Sequence, residues 1–340
     1  MMKAHFFRLL IILPLMSACK KEEKLPPASF PKIQRGQMLL VCSEGNFRWN
    51  NSETGLLNIQ TGEANWKAFS QKNQRPLGDV LQSAAFWDGK LWLVVNNSGR
   101  LEGLNPDDFT LKESISGMNS PRFLQPVSGE KAYVSDLYAN ALWIVKRGGS
   151  RPAGSIAMPG WTEEMIFAGD KLWVLCRSKP LLLGINPLND QIEDSLQLPG
   201  NGSSMAMGPE GKIWLGYEKN GASPPGVLLI QPEGQLTILQ QSTDVNLPAP
   251  DRLVSSATGD TLYFLNAGLC RMAAGNTEIF RYSLPSGNWY GLGLDRLRQE
   301  IWISDVKDYQ QESRILRLDA GGNQLQEYRG GIISSRFYFW

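Results

Sequence analysis

The stretch Lys-Leu-Trp-Leu-Val (90–94) returns along the chain as Lys-Leu-Trp-Val-Leu (171–175), Lys-Ile-Trp-Leu-Gly (212–216) and Glu-Ile-Trp-Ile-Ser (300–304). Looser versions occur as Gln-Met-Leu-Leu-Val (37–41), Lys-Ala-Tyr-Val-Ser (131–135) and Thr-Leu-Tyr-Phe-Leu (261–265). The central residues lie at steps of 53, 41, 40, 41, 49 and 39 residues, and they are Leu39, Trp92, Tyr133, Trp173, Trp214, Tyr263 and Trp302. Short apolar strands repeating about every 40 residues are typical of β-propeller blades, which bury their apolar faces by stacking on one another.

The repeat predicts an all-β fold in which residues 36–340 form one seven-bladed propeller. Alternation and turn residues predict six innermost strands: Ser83–Trp87, Arg122–Val127, Glu164–Ala168, Ser204–Gly208, Leu253–Ala257 and Gly291–Leu294. The first unit lacks one. The C-terminal segment Ser334–Trp340 has strand character, so we expect it to pair with Met38–Cys42 and close the ring, which removes exposed sheet edges.

The N-terminus has the pattern of an export signal. Lys3 and Arg8 precede an apolar core at 9–15, and Met16-Ser17-Ala18 leads to Cys19. This pattern resembles a bacterial lipobox, which implies a signal peptide over 1–18 and lipidation of Cys19. An ordinary signal peptide with an incidental cysteine is the alternative. Residues 19–35 are charged and proline-rich, which indicates a flexible tether.

The charged residues of that tether resemble the surface-export signal of some Gram-negative lipoproteins. This implies a protein anchored by lipid in the outer membrane and facing the outside of the cell, with a periplasmic orientation left open.

Composition excludes several classes of function. Without residues 1–18 the chain carries 32 basic side chains (the 34 of the full chain less Lys3 and Arg8) against 33 acidic ones, so a nucleic-acid partner is not expected. The sole histidine is His5, inside the leader, which argues against Ser-His-Asp and Cys-His catalysis and histidine-ligated metals. The other cysteines, at 42, 176 and 270, lack the spacing of a zinc site and are expected in the core.

Propeller geometry predicts where a ligand binds. Strands alternate in direction within a blade, so innermost strands start, and second strands end, on the same face around the central channel. That face is rich in polar and aromatic residues, although turn chemistry alone accounts for many of them. We expect ligand contacts from Asp79, Asn96, Asn97, Arg122, Asp136, Tyr138, Trp161 and Arg177.

Two other features are expected to be structural. The central aromatic residues of the repeat keep a fixed register, which favours packing between blades. Glu163 and Glu164 are adjacent in a predicted strand, where neighbouring side chains point to opposite sides. This predicts a poor catalytic pair.

Several motifs resemble those of YncE-like seven-bladed propeller lipoproteins, especially the BtuG type. They are Ser-Glu-Gly-Asn-Phe (43–47), Leu-Gly-Asp-Val-Leu-Gln-Ser (77–83), Val-Val-Asn-Asn-Ser-Gly (94–99), Ser-Pro-Arg-Phe (120–123), Ala-Tyr-Val-Ser-Asp-Leu-Tyr-Ala-Asn (132–140) and the closing Phe-Tyr-Phe. The resemblance implies binding of cobalamin or another corrinoid and its transfer to a TonB-dependent outer-membrane transporter. The likeness is dense over 36–145 and at the C-terminus, and it covers only the repeat between about 200 and 330.

Two alternatives stay open. Some seven-bladed propellers are lactonases or lyases, and a carboxylate-bound Ca²⁺ could serve such an enzyme. The other alternative is a scaffold for protein interactions at the cell envelope. The absence of histidine from the mature chain favours a binding protein without catalytic residues, resident metal or cofactor.

Overall fold

The computed structural model describes residues 30–233, 237–243 and 248–340. The predicted signal peptide, the lipidated Cys19 and the tether up to residue 29 lie outside the described residues. No helix in the described ranges is both long enough and apolar enough to cross a membrane.

The described residues form seven antiparallel blades, as the repeat predicts. Blade 1 contains β1 (Met38–Ser43), β2 (Glu53–Asn58) and β3 (Ala64–Asn65). Blade 2 contains β4 (Leu81–Trp87), β5 (Lys90–Val95), β6 (Arg100–Leu104) and β7 (Leu111–Ser116). Blade 3 contains β8 (Pro121–Pro126), β9 (Lys131–Asp136), β10 (Ala141–Lys146) and β11 (Gly154–Ala157). Blade 4 contains β12 (Thr162–Ala168), β13 (Lys171–Cys176), β14 (Leu181–Asn186) and β15 (Gln191–Gln197).

The remaining blades repeat this order. Blade 5 contains β16 (Gly202–Met207), β17 (Ile213–Tyr217), β18 (Gly226–Gln231) and β19 (Thr237–Thr243). Blade 6 contains β20 (Asp251–Ser255), β21 (Thr261–Leu265), β22 (Leu269–Ala273) and β23 (Phe280–Arg281). Blade 7 contains β24 (Trp289–Asp295), β25 (Glu300–Asp305), β26 (Glu312–Leu318) and β27 (Gln324–Ile332), and the last strand is β28 (Ser334–Phe339). Short 3₁₀ turns cover Asn96–Ser98 and Pro209–Gly211.

The C-terminal strand closes the ring, which confirms the sequence prediction. β28 pairs antiparallel with β1, with Leu39 opposite Phe339 and Val41 opposite Phe337. It thereby becomes the innermost strand of blade 1, and a parallel bridge from Arg336 to Leu292 joins it to blade 7. The first and last strands of the described chain therefore lie in one blade.

Within the described residues, the apolar core consists of seven clusters, and each lies between two neighbouring blades. The central residue of every repeat is buried within one of them, from Leu39 at 0% exposed to Tyr263 at 8%. Trp92, for example, packs between blades 2 and 3 together with Leu124 and Val134. The structure confirms that these aromatic residues pack between blades.

The three cysteines of the described chain are buried, as expected of core residues. Burial raises the pKa of the Cys42 thiol and, less strongly, that of Cys176. These thiols are therefore poor nucleophiles at neutral pH.

Blade 1 departs from the regular plan. Its outer strand β3 is only two residues long, and the helix α1 (Ala68–Asn73) follows it with Phe69 fully buried. The Glu53 carboxylate accepts the backbone N–H of Phe69 at 3.0 Å, which satisfies a free donor at the start of the helix. This inserted helix accounts for the first step of 53 residues.

The predicted tether is packed in its described part. Phe30 lies 6.2 Å from Phe109 between ring centroids, and the Lys32 carbonyl accepts a hydrogen bond from Asn58. The packed structure therefore extends N-terminal to residue 36, where the sequence placed its start.

Removing Ser334–Trp340 should abolish the folded protein. The deletion unpairs β1 and strips Phe337 and Tyr338 from two interblade clusters. Losing large buried aromatic residues costs about 3–5 kcal/mol each, and a domain has only about 5–15 kcal/mol in total. Near-ultraviolet circular dichroism and thermal unfolding of the leaderless protein measure the effect. Leu188→Ala, at a side chain 92% exposed, is the control expected to melt like wild type. A truncated protein with wild-type melting would contradict closure by β28.

Candidate functional site

Each innermost strand contains a β-bulge near its start. At this point the innermost strand has one residue more than the second strand it pairs with. In blade 2, Gln82 lies between two residues that pair with the neighbouring positions Val95 and Val94. The first residues within the seven bulges are Gln82, Arg122, Glu163, Ser203, Arg252, Tyr290 and Ser335.

These bulges aim side chains into the central channel, because a bulge breaks the alternation of a strand and redirects its residues. A cavity of about 340 Å³ opens there, and six of the seven bulge residues line it. We call this cavity the funnel. Its other lining residues are Glu44, Val80, Leu137, Trp161, Glu164, Arg177, Asp251 and Arg336.

The funnel is strongly charged, but its charges balance. Four arginines and four carboxylates line it. Its arginines are Arg122, Arg177, Arg252 and Arg336, and its acids are Glu44, Glu163, Glu164 and Asp251. Such a lining can hydrogen-bond a ligand that has both donors and acceptors, and it offers little attraction to a molecule of high net charge.

One wall of the funnel is a fixed ion pair. Nε of Arg122 lies 3.0 and 3.1 Å from the two carboxylate oxygens of Glu163, and Nη1 donates to the amide oxygen of Gln82. These three residues come from three successive blades. The network therefore holds the side chains in place before any ligand binds.

A second ion pair crosses the channel. Nη2 of Arg336, on β28 of blade 1, donates to Oε1 of Glu164 in blade 4 at 2.7 Å. The other oxygen of Glu164 accepts the Ser204 hydroxyl at 2.7 Å, and the Arg336 guanidinium lies 4.6 Å from the ring centroid of Phe123. Blades 1 and 4 lie on opposite sides of the ring, so this ion pair spans the central channel.

A third set of contacts, between an arginine, a tyrosine and a glutamate, connects blades 1, 6 and 7. The Tyr290 hydroxyl donates to the carboxylate of Glu44, with oxygen distances of 3.2 and 3.3 Å, and the Arg252 guanidinium lies 4.5 Å from the Tyr290 ring centroid. Burial raises the pKa of Tyr290 to about 12, with a further rise from Glu44 and an opposing effect of Arg252. The phenol is therefore protonated, and able to donate, at neutral pH.

Three of the eight residues predicted to contact a ligand lie together in the funnel. They are Arg122, Trp161 and Arg177. Nη2 of Arg177 lies 2.9 Å from the Glu218 carboxylate, and Nη1 donates to the Ser203 carbonyl. The indole N–H of Trp161 is buried without a hydrogen-bond partner in the described chain.

Asp136 does not belong to this group. Its side chain is fully buried, and its carboxylate accepts the backbone N–H groups of Ser120 at 2.9 Å and Tyr138 at 2.9 Å and the indole N–H of Trp143 at 2.9 Å. Every one of these bonds organises a loop of blade 3. The Asp136 carboxylate, which was predicted to contact a ligand, therefore stabilises the loops around it instead.

Asp79, Asn96 and Asn97 also lie outside the funnel lining. Oδ2 of Asp79 accepts the Arg48 backbone N–H at 2.8 Å and the side-chain amide of Asn97. The amide of Asn96 donates to the Pro121 carbonyl at 3.0 Å. These side chains join neighbouring loops, which is the alternative that turn chemistry predicts.

Tyr138 is exposed on the same face, outside the funnel lining, with 69% of its surface accessible. Phe47, Trp49 and Tyr309 are also exposed there, at 56, 76 and 43%. They lie in the loops that follow the second strands of blades 1 and 7, and the Asn46 amide donates to the Tyr309 carbonyl at 2.8 Å, which ties the two loops together. This face therefore combines a charged funnel with an aromatic rim.

The expectation that Glu163 and Glu164 point to opposite sides of their strand is wrong. Both carboxylates line the funnel, because the bulge in β12 places both residues opposite one residue of β13. Other funnel residues outside the predicted set include Gln82, Arg252 and Tyr290, and the signal that could have found them is a polar residue at the same place in each repeat.

The described residues contain no cluster of metal-binding side chains. In the described ranges no three side chains among histidine, cysteine, aspartate and glutamate come close enough together to hold a metal ion. The funnel acids instead face arginines and hydroxyl groups.

Comparison with known proteins places the chain among β-propellers. No protein-family model matches the sequence, and no curated protein matches it. A quinoprotein alcohol dehydrogenase-like protein from Bacteroides thetaiotaomicron has a similar structure, with 12% identity, a TM-score of 0.69, and coverage of 89% of this chain and 78% of that one.

Two further solved structures are similar. A protein from Bacteroides fragilis, described provisionally as a 6-phosphogluconolactonase, shows 13% identity and a TM-score of 0.68 over 92% of this chain and all of that one. AztD from Citrobacter koseri, in its apo form, shows 12% identity and a TM-score of 0.58 over 88% and 83%. At these identities the similarity establishes the fold alone.

Arg336→Met should destabilise the protein by about 2–3 kcal/mol, because it leaves the Glu164 carboxylate, 10% exposed, without its cation. Adding Glu164→Gln should recover part of that loss by removing the isolated charge. Urea unfolding of the single and double variants measures the coupling. Arg147→Met, at a surface pair 55% exposed on the arginine side, is the control and should unfold at the same urea concentration as wild type. Equal stability of wild type and Arg336→Met would show that the Arg336–Glu164 ion pair contributes nothing to the free energy of unfolding.

Tyr290 should make stability fall at high pH. Its pKa is raised from 10.0 to about 12 in the folded protein. Its contribution to the free energy of unfolding is therefore complete below pH 10 and is lost as the pH rises towards 12. Tyr290→Phe lacks this contribution and should show a shallower decline over that interval. Urea midpoints of both proteins at matched pH values measure the difference. If the urea midpoints of both proteins change with pH in the same way, the assigned burial of the Tyr290 phenol is wrong.

Proposed function

We propose that this protein binds a small polar molecule in the funnel. The observation that carries the proposal is the row of bulges, which turns a side chain into the channel in six of the seven blades. Ion pairs between blades hold these side chains in position, so little conformational entropy is lost when a ligand binds.

A corrinoid is the leading ligand, on the resemblance to BtuG-type lipoproteins. The funnel supports a molecule of this kind in two ways. Guanidinium and carboxylate groups match the amide donors and acceptors of a corrinoid periphery. Trp161 at the wall and Tyr138 beyond it offer flat apolar surface. The cavity of about 340 Å³ would take part of such a ligand, with the remainder over the rim.

The rest of the proposal concerns location and delivery. The lipobox-like sequence supports a lipid anchor at Cys19 in the outer membrane, on the cell surface. We propose that the face with the funnel delivers its ligand to a TonB-dependent transporter. The exposed aromatic residues Phe47, Trp49 and Tyr309 support a protein contact on that rim, because aromatic side chains are enriched at protein interfaces.

Calorimetry of the leaderless protein with cobalamin and cobinamide tests the ligand. Trp161→Ala and Arg177→Met should each weaken binding about tenfold or more, because both side chains line the funnel. Leu188→Ala is the control, since its exposed side chain lies outside the funnel lining, and we expect a change of less than about threefold. Absence of binding for both corrinoids would refute the corrinoid proposal.

A second candidate is a lactonase-type enzyme. Its support is that Glu163 and Glu164 both face the funnel, where paired carboxylates can exchange protons with a substrate. Turnover of a lactone panel, with and without Ca²⁺, tests this candidate. Hydrolysis that Glu163→Gln removes would favour the enzyme over the binding protein.

A further inference from the structure

We infer that Arg252 holds an anionic oxygen group of the ligand, a carboxylate or a phosphate ester, and is the principal anchor of the funnel. This inference rests on the proposed function, in which the funnel is the ligand site. Three other arginines line the same cavity.

Those three arginines already have carboxylate partners. Arg122 lies 3.0 Å from Glu163, Arg177 lies 2.9 Å from Glu218, and Arg336 lies 2.7 Å from Glu164. Each of these distances is that of a charge-assisted hydrogen bond. Their guanidinium groups are therefore committed to the protein itself.

Arg252 has no such partner. The residue is only 8% exposed, yet within the described chain its guanidinium has no acceptor at hydrogen-bonding distance. Its nearest carboxylate, Oε1 of Glu44, is 3.7 Å from Nη2, beyond the usual range for a hydrogen bond. The N–H groups of this guanidinium are therefore available to an incoming anion, unlike those of the three paired arginines.

Tyr290 contacts both Glu44 and Arg252. The Tyr290 hydroxyl donates to the Glu44 carboxylate, while the Tyr290 ring lies against the Arg252 guanidinium at 4.5 Å. The ring contact restricts the guanidinium without using its N–H groups. The Arg252 guanidinium is thus held in one orientation, while its N–H groups have no acceptor in the described chain.

The guanidinium faces open space. Arg252 lines the funnel and also an adjoining recess of about 280 Å³ between blades 6 and 7, with Leu265 and Trp289 in its wall. Unlike Nε of Arg336, its nitrogens are not sealed inside the protein. A ligand anion at Arg252 would therefore lie where the two cavities meet.

The backbone at Arg252 supports a special role. The residue has φ of 54° in the bulge of β20, a left-handed conformation that is strained for a residue with a side chain. Strain of this kind persists only where surrounding contacts enforce it, and it is concentrated at functional sites.

The surrounding charge restricts the class of ligand. Glu44 and Asp251 lie beside Arg252, and the whole lining is neutral. The funnel therefore offers little attraction to free polyanions. The site suits a single anionic group on an otherwise neutral or cationic molecule.

Nuclear magnetic resonance titration of the leaderless protein tests this inference. The probes are inorganic phosphate and acetate at constant ionic strength, with added chloride as the reference, and the signal followed is the Arg252 Nε–Hε resonance. We expect a saturable shift with phosphate, acetate or both, and the stronger of the two identifies the preferred oxygen group.

Four variants sharpen the test. Arg252→Met should weaken anion binding at least about tenfold, and Glu44→Gln should strengthen it several-fold by removing the neighbouring negative charge. Arg298→Met, whose native arginine pairs with Asp295 at 2.8 Å outside the funnel lining, is the control and should bind like wild type. If Arg252→Met fails to fold, Arg252→Lys keeps the charge but removes the planar fork, and it should still weaken binding measurably.

The outcomes separate this inference from the proposed function. Anion binding that depends on Arg252, with no corrinoid binding, supports the anchor and refutes the corrinoid ligand. Corrinoid binding unaffected by Arg252→Met, with no shift of the Arg252 resonance, refutes the anchor and leaves the funnel as the binding site. Equal anion affinity in wild type and Arg252→Met overturns the inference directly.

Discussion

A blade has two apolar faces, and it is stable only when a neighbour covers each of them. Seven blades satisfy this requirement in a ring, and β28 completes the last contact by pairing with β1. The seven interblade clusters depend on that pairing, because an open array would expose the faces of its two end blades. The rigidity of the ring is also what allows loops distant in sequence to form one site.

The bulges convert this regular ring into a binding surface. An ideal strand directs every second residue toward each face of its blade, where the neighbouring blades cover it. The extra residue in each innermost strand interrupts that alternation at the same level of the channel. The chain can therefore keep its apolar repeat for packing and still present Arg122, Glu163, Arg252 and Tyr290 to the funnel.

Electrostatic balance within the funnel is achieved by contacts between blades. Arg122 reaches Glu163 in the next blade, and Arg336 reaches Glu164 across the channel. Burying charges is costly unless they are paired, and these pairs reduce that cost while fixing the side chains. Arg252 differs, since Tyr290 engages both its guanidinium face and the carboxylate nearest to it. That asymmetry distinguishes one side of an otherwise balanced cavity.

The amino-acid sequence was sufficient for the number of blades, for the burial of Trp92, Trp173 and Trp214, and for closure by Ser334–Trp340, because these features follow from local strand pattern and repeat length. It also placed Arg122, Trp161 and Arg177 at the channel. It failed for Asp136, which is buried as a loop anchor, and for Glu163 and Glu164, which share one face. Bulge position depends on the register between two strands, and the Arg336–Glu164 pair joins residues 172 positions apart. The periodicity of a single strand predicts neither property, so only the folded ring shows which polar side chains come into contact.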